Sequence, residues 1–112
     1  MATLELPSTP ADIDHAMAVE VMEDEWEHSG WYWHEGKQTR RVSLYTPSTD
    51  LNQAVEGARH ICRDRGCFAI TRHRDGSYSA WVSPNIKTHA VNAVTPATAL
   101  CLALIAAVRG EG

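Results

Sequence analysis

The sequence predicts an α+β fold: a single three-layer α/β/α sandwich in the order α-ββ-α-βββ-α, built on a mainly antiparallel sheet. Three observations predict it. The run from Pro96 to Val108 is apolar apart from Thr98 and has helix signals at both ends, the Thr95 cap and Arg109-Gly110. The segment from Leu51 to Cys62 carries an i, i+3, i+4, i+7 stripe. Two glycine turns, Glu35-Gly36-Lys37 and Asp75-Gly76, each separate segments with strand character. A chain of 112 residues fits one domain, with residues 1–8 as a flexible start and 110–112 as a tail.

In chain order, Thr9-Pro10-Ala11-Asp12 offers a capping hydroxyl followed by proline at the first helical position. Ile13, Ala16, Met17 and Val21 follow at helical spacing, so the spacing predicts a helix running to about Asp24–Glu27. Its terminal acids Glu23–Glu27 oppose the helix dipole there and call for a cationic partner. Trp31-Tyr32-Trp33-His34 reads as a short strand and Thr39–Tyr45 as its return, with Arg40, Val42 and Leu44 on one face. Pro47-Ser48-Thr49-Asp50 opens the second helix, whose last turns carry Arg59, His60, Arg63 and Arg65 before Gly66.

Cys67–His73 and Ser77–Ser83 form the second hairpin. A two-residue Asp75-Gly76 turn sets His73 opposite Tyr78 and Ile70 opposite Trp81. Pro84-Asn85 breaks the strand, and His89–Val94 reads as a fifth strand leading into the last helix. That helix presents Ala97, Leu100, Cys101, Leu104, Ile105 and Val108 to the sheet. Its far side, Ala99, Leu102, Ala103 and Ala106, is small and apolar, and either the first helix or a second subunit must cover it. The expectation is a homo-oligomer joined along this seam.

The net charge of −4 hides an asymmetry: residues 1–36 hold nine acids and no Lys or Arg, whereas residues 37–112 hold five acids and all ten bases. Either the acidic start pairs with the basic remainder, or the basic part binds an anion. Met1–Pro10 shows no basic-then-apolar leader, and the three cysteines are an odd number, which together predict a cytoplasmic protein with reduced thiols. No membrane segment is expected, because the apolar run spans only about 20 Å as a helix.

His60, Cys62 and Cys67 make H-x-C-x4-C, without the second ligand pair that a zinc site needs, and Cys62 lies on the apolar stripe. Glu35-x-Lys37 with Asp24 upstream is a thin match to a magnesium nuclease, and a surface turn explains it better. The six histidines show no nucleophile–base pairing, and no phosphate-binding glycine loop occurs. The helix–three strands–helix order of the second half matches a double-stranded-RNA-binding domain. The basic start of the last helix which that domain needs is Thr95-Pro96-Ala97 here, so nucleic acid is not an expected partner. The sequence therefore predicts a non-enzymatic protein with no cofactor and no metal. What remains is recognition chemistry. Trp31, Trp33, Tyr78 and Trp81 can stack on a base, and Arg40, Arg41, Arg72, His73 and Arg74 can hold phosphate.

The run Trp31-Tyr32-Trp33, the segment Thr46-Pro47-Ser48-Thr49-Asp50-Leu51 before Ala54, and Thr95–Ala103 resemble the small phage-encoded "phage ABA sandwich" proteins over about residues 12–109. The resemblance implies a phage or prophage origin and a three-layer fold, and it brings no catalytic residue. Small phage proteins of this kind commonly act by binding. The leading expectation is an anti-defence sponge that sequesters a host immune nucleotide signal, a cyclic dinucleotide or a cyclic ADP-ribose isomer, in the host cytoplasm. The alternatives are a protein-directed inhibitor of a host defence or CRISPR complex, or a phage protein without a ligand.

Overall fold

A computed structural model describes residues 6–62, 68–82 and 91–110. Helix α1 (Pro10–Ala16) begins as the sequence predicts: the Thr9 hydroxyl accepts a hydrogen bond from the Asp12 amide at 3.2 Å, and Pro10 takes the first position. It does not continue to Glu27. The chain widens into a π-helical turn over Met17–Val21, closed by the Met22 amide donating to the Met17 carbonyl at 2.9 Å. It then reverses at Glu23, which sits at φ 62°. Glu25–Glu27 is a strand, β1, which pairs with β2 (Trp31–His34); β2 pairs in turn with β3 (Lys37–Arg41), all antiparallel. Ending the helix early keeps the acidic cluster off its C-terminal dipole. It also frees the Asp24 carboxylate for partners elsewhere.

The β2–β3 turn is the two-residue Glu35-Gly36, both at positive φ, as a type I′ hairpin demands. The return strand is shorter than the sequence predicts. It stops at Arg41 and becomes a 3₁₀ turn over Val42–Leu44. Asp50 then caps α2 (Leu51–Cys62), accepting from the amides of Asn52 at 3.0 Å and Gln53 at 3.4 Å. The predicted stripe is largely the buried one, with Ala54, Ala58 and Cys62 inside, although Leu51 remains exposed. Gly57 is buried as well: a Cβ there would lie 2.7 Å from the end of the Met17 side chain, so α2 rests directly on the π-helical turn.

The second sheet runs β4 (Phe68–Arg72), β5 (Tyr78–Val82), β6 (Val91–Ala93), again antiparallel. Its hairpin is one residue out of the predicted register. Arg72 faces Tyr78, and Ile70 faces Ala80 rather than Trp81. The loop is three residues long, Arg74-Asp75-Gly76, with Gly76 at φ 90° and the His73 amide donating to the Ser77 carbonyl at 2.8 Å. A slip of one residue exchanges the faces. Phe68, Ile70, Tyr78, Ala80 and Val82 therefore pack into the core, and Trp81 lies on the opposite face. The predicted fifth strand is seen over Val91–Ala93; Cys67, Arg63, Arg65, Gly66, the Pro84-Asn85 break and His89 lie outside the described residues.

Helix α3 (Pro96–Gly110) runs through the middle. The second sheet covers one side of it, chiefly through β5 and β6, and α1, the π-helical turn and α2 cover the other. The α+β class stands, with six strands among the described residues divided into two three-stranded sheets. This placement covers, within one chain, the face on which an oligomer seam was expected. Ala99 and Ala103 are 0% exposed and Ala106 is 2% exposed within a single chain, and half-buried Leu102 packs against the same core. Their small size lets the neighbouring helices approach, so they serve internal packing and no second subunit is needed to cover them. At the start of the chain, Leu6 also packs on this core.

Two polar ties lock α3 in place. The Asp14 carboxylate accepts from the Ser48 amide at 2.8 Å, and the Ser48 carbonyl accepts from the Thr98 hydroxyl at 2.9 Å, which joins α1, the Pro47 turn and α3. Burial pushes the Asp14 carboxyl up, against the pull of its bonds to Ser48. At the other end Arg109 donates twice to Glu20, both at 2.8 Å.

Candidate functional site

The first sheet supplies the site. Alternation on β2 turns Tyr32 inward, where its hydroxyl lies 3.1 Å from His15 Nδ1 and its ring meets Trp26 at 5.4 Å and Tyr45 at 6.2 Å. Arg40 is the cross-strand neighbour of Tyr32 and so turns the same way. Its guanidinium carbon sits 4.5 Å above the Tyr45 ring, and its Nε is 2.8 Å from Asp24 Oδ2. The other oxygen of Asp24 is 2.9 Å from His34 Nδ1. Asp24 is thus a buried carboxylate shared by an arginine and a histidine. Burial pushes its carboxyl up, while the Arg40 and His34 charges pull it down. Burial likewise pushes the Tyr45 phenol well above its ordinary value.

These contacts show how the acidic first third of the chain meets the basic remainder. Glu20 pairs with Arg109, Asp24 with Arg40 and His34, and Glu23 with His60 at 3.2 Å, all within one chain. Glu35 and Lys37 lie on the exposed hairpin turn, and Asp24 is committed to Arg40 and His34. The three residues of the nuclease-like match are therefore not gathered into one carboxylate–lysine site.

Between β3, the 3₁₀ turn and α2 lies an open cleft of about 400 Å³, lined by Trp31, Arg40, Arg41, Leu44, Gln53 and Glu56 together with Thr39 and Tyr45. Trp31 and Arg41 are directly opposed across β2 and β3 and share one face of the sheet. Arg41 is exposed and makes no ion pair among the described residues. Gln53 staples the cleft floor: its side-chain oxygen accepts from the Thr46 amide at 2.6 Å, and its nitrogen donates to the Leu44 carbonyl at 3.0 Å. Thr39 donates to the Tyr32 carbonyl at 3.4 Å. The cleft therefore combines an aromatic wall, one arginine held rigidly by Asp24 and Tyr45, a second arginine at the surface, and one carboxylate.

The structure brings together Trp31, Arg40 and Arg41 from the predicted set, and it separates the others. Trp33 donates its indole N–H to Glu27 and does not line the cleft. Arg72, His73, Arg74, Tyr78 and Trp81 all belong to the second hairpin. There His73 lies 2.9 Å from the Ser79 hydroxyl, and Tyr78 packs on the core. Sequence reasoning missed Tyr45, Gln53 and Glu56, which nothing local marked. It met Asp24 only in the nuclease-like match and in the acidic cluster's need for a cationic partner, not as the anchor of Arg40.

The sequence matches no protein-family model and no curated protein. Its fold is similar to the crystal structure of a phage protein from Bacillus cereus ATCC 14579, with a TM-score of 0.74 at 17% identity over 96% of this chain and 100% of that one. At that identity the likeness establishes the shared fold. Among the described residues no helix is long and apolar enough to cross a membrane.

Proposed function

We propose that this chain is a small phage protein of the phage ABA sandwich kind that acts by binding, and that the cleft between β3 and α2 sequesters an anionic nucleotide signal of the infected cell. Cyclic dinucleotides and cyclic ADP-ribose isomers are the candidates. The observation that carries the reading is the state of Arg40. Its Nε lies 2.8 Å from Asp24 Oδ2 in an ion pair and its guanidinium carbon 4.5 Å over the Tyr45 ring, and both contacts restrict the side chain before a ligand arrives. Arg41 adds a second guanidinium, and Trp31 offers a ring for a base. A volume of about 400 Å³ lies within the range of about 300–1,000 Å³ typical of ligand sites. The phage origin is supported by the likeness in fold to the Bacillus cereus phage protein. Binding rather than turnover fits a lining of side chains that hold and stack. The place of action is then the host cytoplasm.

Isothermal titration against a panel of cyclic dinucleotides and cyclic ADP-ribose isomers tests this. Heat is expected with at least one member, and it should disappear in Arg41→Glu and in Trp31→Ala while circular dichroism is unchanged. No heat with any member, or heat that survives both substitutions, overturns the reading.

A further inference from the structure

Arginine and tryptophan can hold any nucleotide, so the identity of the base must be read by another group in the cleft. Most of its polar groups are already committed. Both ends of the Gln53 amide are engaged by Thr46 and Leu44, the Thr39 hydroxyl bonds to Tyr32, and Arg40 Nε faces Asp24. Glu56 is different. It projects from the exposed side of α2 into the same cleft and makes no ion pair with Arg41 or any other described residue. The two opposite charges therefore line one cleft without meeting, and a ligand that engages both offers an anion to one and hydrogen-bond donors to the other.

We infer that the cleft selects guanine, with Glu56 accepting from the N1–H and the N2 amine of a guanine ring stacked on Trp31 while Arg40 and Arg41 hold its phosphate. This rests on the nucleotide-binding reading above. An ionised carboxylate is acceptor-only with two oxygens, and the guanine Watson–Crick edge has two adjacent donors that match it. Adenine places an N1 lone pair at the same position, which repels a carboxylate and leaves a single amine donor. Hypoxanthine keeps N1–H and lacks the N2 amine, so it should fall between them. Glu56 is solvent-exposed on the helix surface, so its amide variant does not disturb the core.

The test is titration of the full chain with GMP, IMP, AMP and inorganic phosphate, repeated with Glu56→Gln. Expected is a preference for GMP over AMP of about tenfold or more, with IMP intermediate. In Glu56→Gln that preference should collapse, through weaker GMP binding and no weaker AMP binding. Equal binding of GMP and AMP, abolished by Arg41→Glu, overturns the guanine inference and leaves the nucleotide reading intact. A GMP preference unchanged in Glu56→Gln also overturns it. Failure of GMP, IMP and AMP alike to bind overturns the guanine inference, and the nucleotide reading falls with it only if the cyclic panel also gives no heat.

Discussion

Replacing Asp24 with alanine removes the one carboxylate that Arg40 and His34 share. Truncating one partner of a fully buried ion pair costs about 3–5 kcal/mol, because the remaining charge is left without solvent or partner. Here Asp24 is sealed, with 0% of its side chain exposed, whereas the Arg40 and His34 side chains retain 20% and 33% exposure. Water can resolvate part of what the alanine abandons, so the cost should fall to about 2–3 kcal/mol. For a domain of this size that lowers Tm by about 10–15 °C. Urea unfolding followed by tryptophan fluorescence measures it, with Arg40→Ala and the double variant completing a cycle. The two losses should be strongly non-additive, with a coupling of at least about 1 kcal/mol. A loss below about 0.5 kcal/mol, or additive single losses, would refute the claim that Asp24 holds Arg40 in place.

Three other predictions follow from the fold. Ala103→Leu forces extra volume into the fully buried face of α3 and should cost about 1–3 kcal/mol in chemical denaturation; a neutral effect would mean that side is open. Glu20→Gln should cost about 0.5–1 kcal/mol at pH 7, because both partners of the Glu20–Arg109 pair are about one-third exposed. The Arg109 guanidinium holds the Glu20 carboxyl below its ordinary 4.5, so this stability is fully present above 4.5 and is lost as pH falls through the lowered value. The difference between wild type and Glu20→Gln should vanish in acid, and an equal difference at pH 7 and below that value contradicts the pairing. Gly76→Ala places a Cβ on a residue at φ 90° and should destabilise by about 1 kcal/mol or more, measured by the urea midpoint.

Much of the fold is local enough to be legible in the sequence. The stripe of Leu51–Cys62, the cap at Thr9, the turn at Glu35-Gly36 and the apolar last helix each announce themselves within a few residues. What the sequence conceals is decided by distant partners. Glu25-Trp26-Glu27 reads as the end of a helix because its strand pairing depends on β2. The cover over the far side of α3 comes from α1 and α2, which lie distant in sequence and are not announced by the helix itself. The register of β4 and β5 hinges on a loop of three residues rather than two, and that single residue exchanges Ile70's neighbour.

The site divides in the same way. Trp31, Arg40 and Arg41 stand out as aromatic and cationic residues on adjacent strands. Gln53 and Glu56 occupy the polar side of an amphipathic helix, where such residues are ordinary, and only the packing of α2 against β3 makes them lining residues.

The central claim is that a nucleotide stacks on Trp31 between the arginines and α2. The most direct measurement is the tryptophan indole N–H region of a ¹H–¹⁵N spectrum, with the Trp31 signal assigned by Trp31→Phe, recorded during a GMP titration. A saturable shift centred on the Trp31 signal, with Trp81 unmoved, is the predicted result. An unmoved Trp31 signal, or shifts centred on Trp81 and the second hairpin, would contradict it.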